Sequence, residues 1–413
     1  MRVRRNEMTI CALACICAWV FVVGCDGDTG TLIESEIVDN VDDNSETPDP
    51  FPARSKSAEI LALEALFDEN LDLPTYYSGA QPYRDVLLDQ SDSGLSYTYY
   101  NIQGPLDGII SMFESSGRQD HFELALTLCE NMVAAADRDR DNDGHPEWDG
   151  SLDGTPPSDG YPDQLLPDFQ GAVGIVRLAR VIVSDPGLNA VYGERATSLA
   201  AFVENHIVDK WLYTRNRLTW FRDLPNWSDK ASMLVRMLCD LYVVTGDEDR
   251  RDLAEEFTNQ FIQTVLVYDT DLDAYTWPTV PSPDTTHTNR EAFFIDTAAQ
   301  TGIVFTDTDV ERVGNTVTSL IWNGSLADPR CANFHTGDNS PYKNRGPWEW
   351  GLLYDGWVRS GRVHPTVQAV CQSILDLTQT DPGINPTVSR SNHNAAVVAM
   401  SGHLARDRWI NGQ

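Results

Sequence analysis

The chain has 413 residues and a formal net charge of −32, from 30 lysines and arginines against 62 aspartates and glutamates. This acidic balance argues against a nucleic-acid-binding surface, which needs basic patches, so we expect no nucleic-acid partner. It indicates a soluble, self-repelling surface. The length suits one large domain or two ordinary ones, and the 41% hydrophobic content is ordinary for a globular protein.

Residues 1–25 have the pattern of an export signal. The segment "MRVRRNEMTICALACICAWVFVVGC" has a basic start, an apolar core and a small residue before a cysteine. Its end, Val22-Val23-Gly24-Cys25, resembles a bacterial lipobox, which implies that Cys25 is lipidated and becomes the mature N-terminus. An ordinary signal peptide or a membrane anchor is the alternative, although the apolar run is slightly short for a full span. We expect an exported bacterial lipoprotein, periplasmic or on the cell surface, attached to the membrane only through a lipid at Cys25.

Residues 26–55 are acidic and end in prolines, which predicts a disordered tether, and residues 56–413 then form a single domain. No CxxC or Cys/His metal spacing joins the cysteines of this domain. Cys129 and Cys239 fall on apolar helical faces and are expected to be buried thiols. Cys331 and Cys371 would be able to form a disulfide in an oxidising compartment, and the sequence leaves this pairing open.

Helical periodicity dominates the rest of the chain. Apolar residues recur at spacings of three and four in eleven segments, beginning with "GPLDGIISMFESS" and ending with "HNAAVVAMSGHLARDR". These segments pair into about six hairpins with a period of roughly 40 to 55 residues. Short turns close each hairpin, whereas long segments connect one hairpin to the next, and long ordered loops are usually functional. The pattern predicts an all-α, (α/α)6-like toroid of six to seven hairpins with long loops on one face.

The turns "YVVTGDEDRRDLAEEF" and "MFESSGRQDHFELAL" resemble the hairpin turns of six-hairpin carbohydrate-active enzymes. The resemblance covers most of the chain after about residue 95. It implies the (α/α) toroid fold and a polysaccharide substrate. Glycoside hydrolases, polysaccharide lyases and sugar epimerases share this fold, so the reaction has to be argued from the site.

In such a toroid the N-termini of the inner helices bring free N–H groups and positive dipole ends into the loop-rich cleft. Residues at those N-termini are therefore expected to face substrate. A single Asn or Asp there would be explained as a helix cap, but five or six polar clusters favour a site. The catalytic candidates are His287, Tyr342, His393, Asn289, Asn392 and Arg290. The substrate-binding candidates are Trp227, Lys230, Arg345, Trp348, Glu349, Glu291, Asp229 and Tyr100.

The first hypothesis is a polysaccharide lyase that cleaves a uronic-acid polymer by β-elimination. That reaction needs groups that neutralise the C5 carboxylate, a base for the α-proton and an acid for the leaving oxygen. The Asn, His, Tyr and Arg set resembles the constellations of alginate- and glucuronan-type toroid lyases, and "SNHN" resembles the Asn-His motif of alginate lyases. The resemblance implies that His287 or His393 is the base, Tyr342 the acid, and Asn289, Asn392 and Arg290 the neutralising groups.

Two other functions remain open. An inverting glycoside hydrolase of the same toroid class needs two carboxyl groups, which Asp168, Asp229, Glu291 and Glu349 are able to supply. A non-catalytic glycan-binding lipoprotein would need only aromatic platforms. Tryptophans in or beside the long loops are candidates either for such platforms or for pinning the loops to the domain. They are Trp148, Trp211, Trp220, Trp227, Trp277 and Trp348.

The stretch "DRDRDNDGHPEWDG" begins like an EF-hand calcium loop. Asp139, Asp141, Asp143 and Gly144 match the opening of that loop, but Gly150 stands where the bidentate glutamate belongs. A structural calcium at Asp139, Asp141 and Asp143 is a candidate, and a solvated acidic turn is the alternative. We expect no cofactor to be required for catalysis, and the sequence leaves the oligomeric state open.

Overall fold

A computed structural model of the chain describes residues 49–412, apart from 75–79, 141, 151–163, 223, 281–283, 341–352, 354 and 381–392. For Trp220 and residues 224–227 only the backbone is described. The predicted signal and most of the predicted tether lie outside these ranges. Phe51, near the end of that tether, packs against the rings of Phe113, Phe122 and Tyr192.

The described chain is almost entirely helical, as the periodicity predicts. In chain order its α-helices are α1 (Ala58–Asp72), α2 (Tyr83–Ser91), α3 (Ser96–Ser116), α4 (Gln119–Ala134), α5 (Leu165–Ser184), α6 (Pro186–Phe202), α7 (Leu218–Phe221), α8 (Leu224–Thr245), α9 (Glu248–Thr264), α10 (Asn289–Thr301), α11 (Asp307–Thr316), α12 (Asp355–Arg359), α13 (Pro365–Thr380) and α14 (His393–Asn411). Further helical turns follow α6, α11 and α12; they span Val203–Val208, Lys210–Thr214, Val317–Ile321 and Ser360–Arg362.

Six of these helices form a closed inner ring. Each of α3, α5, α8, α10, α12 and α14 packs on the next, and α14 returns to pack on α3. Five hairpin partners, α4, α6, α9, α11 and α13, follow the inner helices through short turns. The sixth outer helix is α1, which packs on α14 from the other end of the chain. The (α/α)6 toroid is thus confirmed. The outer helix of the sixth hairpin, α1, comes from residues 56–95, ahead of the first inner helix.

The short turns and the long connections lie at opposite ends of the ring. Gly117 and Gly302 end α3 and α10 in the left-handed conformation, which glycine adopts without a Cβ penalty. Asp185 caps α6 by accepting hydrogen bonds from the backbone N–H groups of residues 187 and 188. At the other end, the connection from α9 to α10 contains β1 (Val267–Asp269) and β2 (Ala274–Thr276), an antiparallel hairpin and the only strands in the described ranges.

Ring closure needs an unusually close contact between α3 and α14. A Cβ on Gly402 would lie 2.1 Å from the carbonyl oxygen of Gly108, and one on Gly108 would lie 2.5 Å from the Cα of Ala399. Only glycine at both positions lets the two backbones touch. This contact brings Ser111 on α3 and His403 on α14 into hydrogen-bond range, 2.9 Å apart.

Buried tryptophans hold the long connections against the ring. Trp148 is 1% exposed, and its Nε1–H donates to the carbonyl oxygen of Met132 at 2.7 Å. Trp277 stacks on Trp357 with ring centroids 5.3 Å apart. Trp211 is equally buried. These three loop tryptophans therefore have the pinning role rather than the platform role.

The four cysteines of the domain, Cys129, Cys239, Cys331 and Cys371, are buried free thiols. The structure therefore contains no Cys331–Cys371 disulfide. Across the described part of the chain, no helix combines the length and the apolarity needed to cross a membrane.

We expect Gly402→Ala to destabilise the domain by about 1–3 kcal/mol, because the added methyl meets the backbone of α3 and forces the ring apart. Urea unfolding followed by circular dichroism measures the change. Gly193→Ala on outer helix α6 is the matched control, since its methyl meets only the flexible side chain of Asn189. Equal stability of the Gly402 variant and the wild type would show that α3 and α14 do not need this contact.

Candidate functional site

The N-terminal ends of the inner helices surround a pocket of about 240 Å³. Helices α3, α5, α10, α12 and α14 each contribute residues to its wall. The pocket therefore opens at the end of the ring that carries the long connections. This is where the sequence predicts a substrate site.

Four predicted residues line this one pocket: Tyr100, His287, Asn289 and Arg290. They come from the first turns of α3 and α10 and from the segment before α10. Asn289 is held by a hydrogen bond from its Nδ2 to the carbonyl oxygen of Thr286 at 2.7 Å. The crowded sequence "HTNRE" is thus the N-terminus of an inner helix at the pocket wall.

Arg290 is 5% exposed and keeps unused donors beside the pocket. Its Nη2 donates to the hydroxyl of Tyr100 at 2.9 Å and to Oε1 of Gln170 at 3.1 Å. Its Nη1 lies 3.6 Å from Oδ2 of Asp229. Neither Nε nor Nη1 has a hydrogen-bond partner among the described residues. Buried donors normally have partners, so this guanidinium is suited to bind oxygen atoms of a ligand.

His287 is backed by a buried carboxylate. Its Nδ1 lies 2.8 Å from Oδ2 of Asp284, which is 2% exposed, whereas the imidazole is 32% exposed. Burial alone would raise the pKa of Asp284, but the hydrogen bond with His287 holds that pKa below its usual value. An ionised Asp284 accepts the Nδ1 proton, so a neutral His287 has its lone pair on Nε2. Such an imidazole is able to act as a general base.

Asp355 is the carboxyl group in the described pocket wall, and sequence reasoning missed it. It stands in the first turn of α12, inside the segment "PWEWGLLYDGWVRS", which reads as one continuous apolar helix. Its side chain is 13% exposed. Burial, with the negative charge of Asp107, raises the pKa of Asp355 to about 7. A carboxyl group that keeps its proton near neutral pH is suited to be a general acid.

Three other predicted residues, Glu291, Asp229 and Lys230, are not part of the described pocket wall. Glu291 is 1% exposed, and burial together with the negative charge of Asp229 raises its pKa to about 7. Asp229 contacts the ammonium group of Lys230 at 3.2 Å. Asp229 thus lies beside both Lys230 and Arg290, and the site roles of these three residues stay predictions.

Asp168 and His393 also differ from their predicted placement at the cleft. Asp168 is fully buried; its Oδ2 accepts hydrogen bonds from Lys210 Nζ and Trp211 Nε1, both at 2.9 Å. His393 is half-buried at the start of α14, and burial lowers its pKa. The described wall contains Ala395 from that helix but does not include His393.

Several predictions fall outside the residues or side chains that the structure describes. They concern Tyr342, Arg345, Trp348, Glu349, Asn392, the side chain of Trp227, Asp141 and Cys25.

The acidic loop after α4 is a self-contained turn in the described part. The carboxylate of Asp139 accepts hydrogen bonds from the backbone N–H groups of Asp143 and Gly144 at 3.0 and 2.9 Å. Asp143 forms an ion pair with Arg215 at 3.0 Å. No group of three potential metal ligands is arranged around an ion among the described residues. Two of the three candidate ligands thus have protein partners, and calcium at Asp139, Asp141 and Asp143 stays a prediction.

Comparison of the sequence with protein-family models and with curated proteins gives no match. Two solved structures of inactive variants of the α-1,6-mannanase GH76A from Salegentibacter sp. HEL1_6 resemble the fold. The first, bound to α-1,6-mannotetrose, has a TM-score of 0.45 at 12% identity and covers 85% of this chain and 100% of its own. The second, bound to α-1,6-mannotriose, has a TM-score of 0.44 at 10% identity, with coverage of 84% and 99%.

The prediction of a β-eliminating lyase is wrong, and so is the enzyme class that it implied. The solved structures with this likeness are glycoside hydrolases. Of the residues proposed for the lyase, the described pocket wall contains His287, Asn289 and Arg290 but not His393, and Tyr342 and Asn392 lie outside the described residues. The (α/α) toroid fold that the resemblance implied holds.

We expect Asp168→Asn to destabilise the domain by about 3–5 kcal/mol, because it removes the charge that pairs with the fully buried ammonium group of Lys210 at 2.9 Å. Chemical unfolding measures the loss. Glu256→Gln, which breaks the exposed pair of Glu256 with Arg222, is the control and should cost less than about 1 kcal/mol. A stable Asp168→Asn variant that loses only ligand binding would instead return Asp168 to the site.

Proposed function

We propose that this protein is a glycoside hydrolase that cleaves a polysaccharide in the pocket at the N-terminal ends of the inner helices. The observation that carries the proposal is that one pocket wall contains both a carboxyl group suited to donate a proton, Asp355, and an imidazole suited to accept one, His287. Hydrolysis of a glycosidic bond needs these two roles on the two sides of the bond.

Asp355 is the general acid. It donates its proton to the glycosidic oxygen as the bond between that oxygen and the anomeric carbon breaks. The leaving sugar departs as a neutral alcohol, and Asp355 is left as a carboxylate. Its raised pKa matters because only the protonated form is able to perform this step.

His287 is the general base. Its Nε2 takes a proton from the attacking water while the water oxygen bonds to the anomeric carbon. The Asp284 carboxylate stabilises the imidazolium that forms. Solvent then removes the proton from His287 and returns one to Asp355, which restores both groups.

Arg290 and its neighbours bind the sugar. The unused N–H donors of Arg290 donate hydrogen bonds to a pair of ligand oxygens, such as those of neighbouring hydroxyl groups, and Tyr100 and Gln170 fix the guanidinium plane. Asn289 adds an amide beside them. Fixed donors of this kind hold the bond to be cleaved against the acid and the base.

The chain charge favours a neutral polymer, because a net charge of −32 repels polyanions. The two substituted aspartates of the mannanase variants are consecutive in that protein. This chain has consecutive aspartates only at Asp42 and Asp43, ahead of the domain. The sugar and linkage must therefore come from a substrate panel, in which α-1,6-mannan is one member.

The export signal places this hydrolase outside the cytoplasm, tethered through a lipid on Cys25 and the acidic segment that follows. Metabolic labelling with palmitate checks the anchor: the wild type should carry label and Cys25→Ser should not. Label on neither protein would point to a cleaved, unlipidated signal.

We expect the purified protein to release new reducing ends from at least one neutral polysaccharide in the panel, without the absorbance of an unsaturated product. Asp355→Asn should lower kcat by about 100-fold or more, because the amide has no proton to donate. His287→Asn should have an effect of similar size. Reducing-end assays and mass spectrometry of the products measure both.

Asp252→Asn, on the exposed face of outer helix α9, is the matched control and should retain full activity. The wild-type rate should fall as the pH rises through about 7, where Asp355 loses its proton. Full activity of Asp355→Asn would exclude it as the acid. Binding of glycans without any cleavage across the panel would support the non-catalytic alternative instead.

A further inference from the structure

Below the pocket floor, the axis of the ring is filled with buried charged groups that the proposed reaction does not use. Asp107 lies near its centre and pairs with two arginines, Arg177 at 2.9 Å and Arg236 at 3.1 Å. Burial alone would raise the pKa of Asp107, but these guanidinium groups hold it well below its usual value. Asp107 is therefore a permanent negative charge under the pocket.

Ser111, one turn after Asp107, has a fixed hydrogen-bond direction. Its hydroxyl oxygen accepts hydrogen bonds from Nη2 of Arg177 at 2.7 Å and from Nη1 of Arg359 at 3.5 Å. A guanidinium group can only donate, so both lone pairs of the hydroxyl oxygen are in use. The remaining close partner is Nδ1 of His403 at 2.9 Å. Ser111 therefore donates its proton to Nδ1 of His403.

His403 is fixed in one tautomer as a consequence. The imidazole is fully buried, and burial, with the charges of Arg359 and Arg177, lowers its pKa well below the usual value. A neutral imidazole that accepts a hydrogen bond at Nδ1 carries its proton on Nε2. The chain of contacts from Arg177 and Arg359 through Ser111 thus determines which nitrogen of His403 is a donor.

That donor is directed at the proposed general acid. Nε2 of His403 lies 3.8 Å from Oδ1 of Asp355. It is buried and has no hydrogen-bond partner among the described residues. A shift of the carboxyl group by about 1 Å would bring the pair to hydrogen-bond distance.

We propose that His403 is a positioning residue for Asp355: Ser111 holds the imidazole with its Nε2–H toward the Asp355 carboxyl, where it stabilises the carboxylate left after proton donation. The consequence for turnover rests on the proposed hydrolase function, but the tautomer and the contact do not.

The surroundings of Asp355 contain some groups that favour its protonated carboxyl group and others that favour its carboxylate. Burial and the charge of Asp107 favour the protonated form before the reaction, whereas an N–H of His403, 3.8 Å away, favours the charged form after it. The other charged groups that act on Asp355 are Arg236 from α8, Arg177 from α5 and Arg359 from α12. His403 is the neutral donor in this set, so it is able to stabilise the carboxylate without adding a further full positive charge to the ring.

The contact depends on the close approach of α3 and α14. Gly108 and Gly402 lie beside Ser111 and His403 in sequence, and their touching backbones set the distance between the two side chains. Phe293 from α10 packs edge-on against the imidazole with ring centroids 6.2 Å apart. The ring orientation is therefore fixed from both sides.

The first experiment reads the tautomer directly in the full chain labelled with nitrogen-15 histidine. The chain has eight histidines, so His403→Gln assigns the resonances of His403 by their disappearance. From about pH 5 to 8 we expect a neutral imidazole with a protonated Nε2 and an unprotonated Nδ1. Ser111→Ala should disturb this pattern. A protonated Nδ1, or an imidazolium in this range, would overturn the proposal.

The second experiment follows the titration of Asp355 by infrared difference spectroscopy, with Asp355→Asn as the reference. His403→Leu removes the donor and should raise the midpoint of the Asp355 titration by about one pH unit. His403→Gln keeps an N–H at the position of Nε2 and should restore the wild-type midpoint. Equal midpoints in the wild type, Leu and Gln proteins would overturn the contact.

These outcomes separate the two proposals. Suppose that His403 has the expected tautomer and the Asp355 midpoint shifts as expected, but the protein cleaves no polysaccharide. His403 would then remain a partner of Asp355, and the hydrolase function would be rejected. If the hydrolase is active, His403→Leu should lower kcat with little change in KM, and His403→Gln should recover most of it. Full activity of His403→Leu would leave hydrolysis intact and remove His403 from the site.

Discussion

The contact between α3 and α14 is the constraint on which the rest of the structure depends. These helices are the first and last members of the inner ring, and they meet across almost 300 residues of sequence through Gly108 and Gly402. Without that contact the helical hairpins would form an open array. With it they enclose an axis that is closed to bulk water, where charges interact strongly and unpaired polar groups are costly.

Closure has a consequence for electrostatics, because each inner helix must direct one side of its surface toward the axis. Polar residues there have no access to water, so they pair with one another: Asp107 with Arg177 and Arg236, and Asp296 with Arg359. Such pairs contribute little net stability compared with apolar packing, and removal of one member is costly. These groups also act on Asp355: burial raises its pKa most and the charge of Asp107 raises it further, whereas Arg236, Arg177 and Arg359 oppose the rise.

The same geometry explains why the pocket lies where it does. Short turns join the helices at one end of the ring, whereas the long connections surround the N-termini of the inner helices at the other. The N–H groups and dipole ends of those helices favour oxygen-rich ligands. The pocket wall then adds His287, Arg290 and Asp355 as its chemically active side chains. A sugar polymer suits such a wall, since each residue of the polymer offers several hydroxyl groups.

The sequence by itself determined the hairpins, the toroid and the position of "HTNRE" at the start of an inner helix, because helical periodicity and turn residues are local properties of the chain. The sequence did not predict the surroundings of those side chains whose neighbours in space are distant along the chain. Asp168 and Glu291 occupy the predicted helix ends, yet their side chains turn into buried partners that no local pattern reveals. Asp355 was hidden in an apolar segment, and its pKa is raised by burial in the closed ring and by the charge of Asp107, almost 250 residues earlier. Only the tertiary structure decided which carboxyl meets the pocket, since closure of the ring alone brings those charges together.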